Sequence, residues 1–555
     1  MTLKEQLQHV IKGEVSDAPD VLKASSTDAS IFEVHPELVV APHGGEDIKN
    51  LVSFVNLHKT EFPNLSLTAR AAGTDMSGGP LTESIVLDFL KYFQGVKGFD
   101  EAKQEITVLP GTYYRDFEKA TLAKGLLLPS YTASKELCTV GGMVANNSGG
   151  EKTLIYGKTI DYVRELKVVL SDGNEYTTHA LNKSELDSKI ARNNFEGNIY
   201  RELFKLVETN RNLLREAKPK VHKNSAGYYL WDVWDGTTFD INKVLVGSQG
   251  TLGIITEIKF GLIKPKAHSA LLVIMLDELV TLAEIVATIL SHKPESFEAY
   301  DDHSMKLAVR FMPDMMRQLG AKNIISLGWQ FIPEMKMILL GGVPKLILVA
   351  EFTGDSEDEI YTKARAAESN LKKHDIRTHI AKNDKEENKY WTVRHESFNL
   401  LRKHVHGKHT APFIDDIVVL PEHLPKFLPE LATLMNSYKL EYTIAGHIGD
   451  GNFHIIPLMD FARPDFKQII SELSKKVYDL VGKYDGSITG EHNDGLVRTP
   501  YLDRMYKPEV LELFKKTKQI FDPQGIFNPR KKVPSNGLGA SEGVGYNLGH
   551  IRHWA

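Results

Sequence analysis

Three glycine-rich loops in the first half of the chain do most to limit its fold. They are AAGTDMSGGP (71–80), CTVGGMVANNSGGEKTLIYG (138–157) and VLVGSQGTLGIITEIKF (244–260). Each stands where strand-like text breaks into a loop. Glycine adopts positive φ without strain and lets backbone N–H groups approach a ligand closely. Gly73, Gly78 and Gly79 suit the first loop to a diphosphate. Backbone donors, small residues and amides suit the second to the edge of a cofactor ring. None is a GxGxxG fingerprint, and no Gly-Lys-Ser/Thr follows to make a P-loop. One such loop alone is more often a plain surface turn. Three in succession predict a single long ligand threaded between them.

The text around the loops reads as βαβ. SIFEVHPELVVAPH and LSLTARAAGT are strand-like, and they flank a helical GEDIKNLVSFVNLHKT with apolar residues at 48, 51, 52, 55 and 57. RELKVVLSDGNEY predicts a hairpin turning at Asp172-Gly173. After about residue 265 the glycine loops cease. Strand text followed by a long helix then occurs twice, HSALLVIML with DELVTLAEIVATILSHK and LILVAEF with DSEDEIYTKARAAESNLKKH, which predicts a separate α+β domain. PEVLELFKKTKQIF from Pro508 predicts a helix ending at DPQG, and the glycine-rich tail after it an irregular segment.

At 555 residues the chain is too long for one core and predicts two to four domains. A net charge of -5 offers no field for phosphodiesters, so nucleic-acid binding is not expected. A single cysteine, Cys138, forms no internal disulfide and cannot hold an iron–sulfur cluster. The N-terminus lacks the apolar core of a signal peptide. MILLGGVPKLILVAEF (337–352) is broken by Gly-Gly, Pro344 and Lys345 and reads as a strand pair rather than a span. The expectation is a soluble, cytoplasmic protein, with peripheral contact at the inner face of a membrane left open.

AGHIGDGNFHI (445–455) carries the chemistry. With Asp450-Gly451 as a two-residue turn, His447 falls opposite His454 and the two share a face, Cβ atoms ~5 Å apart. Two imidazoles at that distance can reach one divalent cation, while Ile448 and Phe453 point to a core on the other face. Glu491 in GEHNDGLVR supplies a third ligand. Two histidines and a carboxylate leave a position open, which marks a catalytic site. Neighbouring His492 is the candidate general base, since an unperturbed imidazole titrates near neutrality. Taken alone, the two histidines would more often be loop or satisfied core residues.

In order, RAAGTDMSGG, TVGGMVANNSGG, GSQGTLGIIT, GHIGDGNFHI, GEHNDGLVRTPYL and FDPQGIFNP resemble the flavoproteins of the vanillyl-alcohol oxidase type. Within them the chain is most similar to the branch of D-lactate, glycolate and D-2-hydroxyglutarate dehydrogenases, over roughly residues 35 to 533. In detail it resembles the flavin half of large bacterial enzymes that carry a fused iron–sulfur module. The resemblance implies an α+β fold: an FAD-binding domain of the p-cresol methylhydroxylase (PCMH) type in two subdomains, an α+β, ferredoxin-like substrate cap, and a C-terminal helical return to the FAD domain. The corresponding spans are 1–30 (an N-terminal helical segment), 31–265 (FAD), 266–485 (cap and metal), 486–535 (the return) and 536–555 (the tail).

The resemblance further implies FAD held by Arg70, Ala71, Ala72, Gly73, Thr74, Asp75, Met76, Ser77 and Gly78. The second loop and its surroundings add Pro129, Thr139, Gly141, Gly142, Ala145, Asn146, Asn147, Ser148, Gly149, Tyr156 and Gly157. Gly250, Gly253, Ile254, Ile255 and Asn528 complete the set. Relatives with covalently attached flavin carry a histidine in the first loop; here Thr74-Asp75-Met76 implies non-covalent FAD. Arg394 falls where the family grips the substrate carboxylate, a task suited to a guanidinium. Read without the resemblance, it is a surface ion pair with Glu396 or a neighbour.

The chain departs from the family at Asn493 and Arg530, both usually glycine, and at Asp415-Asp416, where a lysine often grips a second carboxylate. Arg498 or Lys408 could take over that lysine's task. The implied activity is oxidation of a small D-2-hydroxy acid to the keto acid, assisted by a divalent metal (zinc, with manganese or iron as alternatives). Electrons then leave to a quinone, a cytochrome, dioxygen or a separate iron–sulfur subunit. Whether the chain forms a homodimer stays open. Rival readings are a non-redox flavoprotein of the alkylglycerone phosphate synthase type, a flavin-free metallohydrolase using the same ligands, and a non-catalytic scaffold.

Overall fold

A computed structural model of the chain describes residues 1–302, 342, 344–404, 407–534 and 540–554. They form two compact units, each described here by itself. The first comprises 1–150, 157–265 and 488–555, and the second 151–156 and 266–487. Among the described residues no helix is long and apolar enough to cross a membrane.

Among the described residues the first unit holds two larger sheets and a two-stranded one, Leu181–Asn182 with Thr238–Phe239. In one, Leu38–Ala41, Ile85–Asp88 and Leu67–Arg70 run parallel in that spatial order, as the βαβ text predicts. The helix Gly45–His58 covers this sheet with Ile48, Leu51, Val52 and Val55, all fully buried against Val40, Ile85 and Leu87. Each such side chain contributes ~1.5–3 kcal/mol. Leu57, counted on the same stripe, is instead 79% exposed, because the helix is ending there. The second sheet is antiparallel, in the order Val96–Asp100, Glu105–Val108, Ile254–Gly261, Val163–Val169, Glu175–His179. Its last two strands are the predicted hairpin, with Gly173 at φ +79° in the turn.

Two expectations for the chain ends are corrected. The N-terminal segment is not simply helical. After the helix Leu3–Val10, the strand Glu14–Ser16 pairs antiparallel with Leu38–Ala41. The buried Asp47 carboxylate holds it there by accepting from the N–H groups of Lys12, Gly13 and His43. The glycine-rich tail contains a helix, Ala540–Gly549. Tertiary contacts overcome its poor propensity: Asn547 donates to the Leu496 carbonyl, and the Arg530 guanidinium lies 3.9 Å from the centre of the Tyr546 ring. The predicted helix Pro508–Phe521 is present and turns Val510, Leu513, Phe514 and Phe521 into the core.

The second unit is built on an eight-stranded sheet. His268–Leu276, Ser296–Asp301, Leu346–Gly354 and Arg377–Ile380 lie in the spatial order fourth, first, third, second, all antiparallel. With the helices Leu282–Ser291 and Glu357–Leu371 they make a βαββαβ, ferredoxin-like arrangement. One face packs Leu271, Val273, Tyr300, Ile347 and Val349 against Tyr390 and Val393 of the helix Asp384–His404. The hairpin of Glu441–His447 and Asn452–Met459 extends the sheet from the edge of Ser296–Asp301. Of the strand pair expected at 337–352, residues 337–341 and 343 lie outside the described residues; Leu346 onward is strand.

The hairpin register differs from the expected one. Ile448–Asp450 forms a 3-10 turn closed by Gly451 at φ +68°, so His447 pairs with Asn452, and His454 with Ala445. Burial decides this. Ile448 is fully buried in the turn, and a Cβ on Gly451 would stand 1.8 Å from the Val419 carbonyl oxygen. The register moves by two residues, the side-chain period of a strand, so His447 and His454 remain on one face. Phe453 is buried on the other, as expected.

Candidate active site

In the first unit the three glycine loops meet. Asn146, from the helix Val140–Asn146 that opens the second loop, donates to Asp75 in the first at 2.6 Å. Gln249 in the third donates to Ser77 Oγ (3.1 Å) and to Asn146 Oδ1 (3.2 Å). Asn528 donates to the carbonyls of Gly79 and Gln249, and Asn493 to those of Asn146 and Gly247. Asn493 and Arg530 stand at φ +68°, so where the family has glycine these residues hold the same left-handed backbone.

The first loop divides its N–H groups. Those of Ser77 and Gly79 donate to Asp75 Oδ2 at 3.0 and 2.7 Å, and that of Gly78 to Asp28 at 3.0 Å. Ser77 and Gly78 are buried and serve the loop's own shape. Ala71 to Met76 stay half-exposed, as do Gly141, Gly142, Ala145, Asn146, Gly250 and Ile255. These residues fit a cradle for a diphosphate and a ring edge.

Several other expected FAD residues are placed otherwise. Arg70 donates to the carbonyls of Ala24, Ser25 and Thr27 and holds the N-terminal segment against the loop. Thr139 caps the helix it precedes, Asn147 ends it in the left-handed region, and Ser148 donates back to Met143. Pro129, Gly149 and Gly253 are buried, and Ile254 lies in the core. Gly157 takes φ +75° beside Asp161. Tyr156 belongs to the second unit, where its hydroxyl donates to Glu295 at 3.1 Å.

Asp28 has no motif to announce it. Burial pushes its carboxyl up to about 7, and the nearby Asp75 charge adds to this, against hydrogen bonds from Ser30 and the charge of Arg70. The ordinary carboxyl value is 3.8, so between pH 4 and 7 the folded chain holds a proton that the unfolded chain lacks. Asp28 therefore costs stability progressively as pH rises through that window. Lys531, pushed down to about 7 by burial, acts only above it. We expect Asp28→Asn to flatten the decline in urea midpoint between pH 5 and 7.5, removing on the order of 2–4 kcal/mol of pH dependence. Parallel pH profiles of variant and wild type would refute this.

In the second unit the rings of His447 and His454 lie 5.3 Å apart, nearly perpendicular at 87°. Each meets a buried carboxylate through Nδ1: His447 meets Glu298 at 2.6 Å, His454 meets Asp415 at 3.3 Å. Asp415 and Asp416, which replace the family's lysine, are fully buried, and Asp416 accepts from Asn452 at 3.0 Å. Arg394 pairs with a buried carboxylate. Its Nε and Nη2 lie 3.0 and 2.9 Å from Glu298 Oε2. Burial pushes the Glu298 carboxyl up, but His447 and Arg394 outweigh it and hold the group below its ordinary value.

Glu491 and His492 belong to the first unit. Glu491 Oε2 accepts from the fully buried Lys223 at 3.1 Å, and Oε1 stands 3.9 Å from His492 Nε2. Arg498 is fully buried on the carbonyls of Ile488 and Asn493, and Lys408 pairs with Glu441. The sequence announces neither Glu298 and Lys223 nor the partners that Gln249 finds from the third loop, since each acts on a residue far from it along the chain.

Two family models match this chain, "FAD binding domain" over residues 36–179 and "FAD linked oxidases, C-terminal domain" over residues 265–532. It is 26% identical over 540 residues to a D-2-hydroxyglutarate dehydrogenase of Pseudomonas putida, a match covering 96% of this chain and 51% of that protein. The chain thus spans about half the length of that relative. It is 25% identical to the glycolate oxidase subunit GlcD of Bacillus subtilis, with 95% and 96% covered. To a D-lactate dehydrogenase of Anaerostipes hadrus it is 27% identical, with 90% of each covered. The solved structure of p-cresol methylhydroxylase with substrate bound superposes with a TM-score of 0.68 at 15% identity, covering 96% of this chain and 97% of that one. From the knitted glycine loops to the βαββαβ sheet, the chain belongs to the FAD-linked oxidases, with an FAD-binding fold of the p-cresol methylhydroxylase type.

Proposed function

We propose that this chain oxidises a small D-2-hydroxy acid, of the D-lactate, glycolate or D-2-hydroxyglutarate kind, to its 2-keto acid. The observation that carries this reading is the pair of imidazoles on one sheet face, each with a carboxylate at Nδ1. Metal-binding histidines are habitually oriented in this way by an outer carboxylate. His447, His454 and Glu491 would hold a divalent metal, zinc before manganese or iron, as the two imidazoles suggest. When bound, FAD supplies a two-electron oxidant and the metal a Lewis acid for the substrate hydroxyl.

The chain's own residues do the rest. Arg394 binds the substrate carboxylate with the guanidinium edge turned away from Glu298. His492 would take the hydroxyl proton, as a general base placed beside the proposed metal ligand Glu491 in the chain. Ala71 to Met76 hold the FAD diphosphate without a covalent link. The electrons then pass to an external acceptor: a quinone, a cytochrome, dioxygen or a separate iron–sulfur subunit.

The test is anaerobic. Mixed with a panel of D- and L-2-hydroxy acids, the yellow protein should lose its flavin absorbance with at least one D-acid and keep it with the L-enantiomer. A flavin that no hydroxy acid bleaches would overturn the reading and favour non-redox chemistry.

A further inference from the structure

Arg394 and His447 lie on different elements, yet both end on the same carboxylate. Glu298 Oε1 is 2.6 Å from His447 Nδ1, and Oε2 accepts from Arg394 Nε at 3.0 Å. Glu298 cannot swing away. It is 1% exposed, on the strand Ser296–Asp301, which is hydrogen-bonded on one side to Leu346–Gly354 and on the other to Glu441–His447. The register Ala299 to Gly446 brings Glu298 opposite His447 one step further on. A carboxylate only accepts hydrogen bonds. It therefore requires a proton on His447 Nδ1, which puts the ring's lone pair on Nε2, and it fixes the Nε edge of the Arg394 guanidinium.

We propose that Glu298 is the positioning residue that couples the two recognition points of the site. It holds His447 in the tautomer that binds metal, holds Arg394 in the orientation that binds carboxylate, and so sets the spacing that selects a hydroxyl on the carbon next to the carboxylate. This rests on the function proposed above.

Glu298→Gln tests it. In either orientation of the amide, its NH2 faces one of the two partners and its oxygen the other. With the oxygen kept on Arg394, the NH2 donates to His447 Nδ1 and moves the imidazole proton to Nε2. In the FAD-loaded protein we expect zinc affinity, measured by chelator competition, to fall ~10- to 100-fold. Histidine 15N NMR should show the tautomer exchanged, and preference for 2- over 3-hydroxy acids should drop. Arg394→Met should keep the wild-type zinc affinity while raising KM. Should the amide not fold, Glu298→Asp keeps an acceptor but shortens its reach, and is expected to lose zinc affinity in the same sense. Wild-type protein that takes up no zinc and is reduced by no hydroxy acid would sink the functional reading. Wild-type protein that does both, beside a Glu298→Gln or Glu298→Asp variant with unchanged zinc affinity and an Nδ1-protonated His447, would sink the role of Glu298 alone.

Discussion

Replacing His492 with alanine will leave FAD bound and slow its reduction by the hydroxy acid about 10²- to 10⁴-fold, the usual worth of a positioned base. FAD should stay because the cradle is made by the three knitted loops, which Asp75, Asn146 and Gln249 tie together. The base should suffer because the imidazole, 20% exposed with Nε2 3.9 Å from Glu491, is the proposed proton acceptor. Stopped-flow reduction under anaerobic conditions measures the rate, and the flavin-to-protein absorbance ratio measures loading. Since the proposed base and metal would act on one oxygen, His492→Ala combined with His454→Ala should be little worse than the more severe single change. A fully loaded His492→Ala enzyme reduced at wild-type speed would remove the residue from this role.

Lys223→Met will destabilise the first unit by about 3–5 kcal/mol, the usual cost of taking one partner from a buried ion pair. Lys223 is fully buried, and its ammonium donates to Glu491 and to the Gly150 carbonyl, both at 3.1 Å. Methionine keeps most of the stem's packing, so the loss isolates the charge. Glu491, itself nearly buried, would face burial without its cation. Adding Glu491→Gln should recover a good part of the loss, because a neutral amide is far cheaper to bury. Urea midpoints of the two single variants and the double give the coupling directly. A loss under about 1 kcal/mol for Lys223→Met would show that Glu491 is satisfied by other means.

The two-residue error in the hairpin register shows what local text can and cannot carry. Asp450-Gly451 announces a reversal, and the alternation about it puts His447 and His454 on one face whether the loop has two residues or four. Face parity survives any even slip. The loop length depended on Ile448 finding a core and on Gly451 passing close to Val419, and neither can be read between residues 445 and 455. The ends of the chain repeat the lesson. A glycine-rich tail has poor helix propensity, yet a helix forms where Asn547 and Tyr546 find Leu496 and Arg530.

What the sequence by itself determined is the set of local devices. These are the glycines that permit cofactor loops, the βαβ and βαββαβ rhythms, the helix from Pro508, and the histidines with the Glu-His pair that could hold and work a metal. Each follows from period, turn chemistry or side-chain type within a few residues. Only the tertiary structure decided which groups hold those devices in place. Glu298 meets His447 across 149 positions, Lys223 meets Glu491 across 268, and Gln249 reaches Ser77 across 172. A buried charge must find a partner wherever folding brings one, and separation along the chain carries no record of that choice.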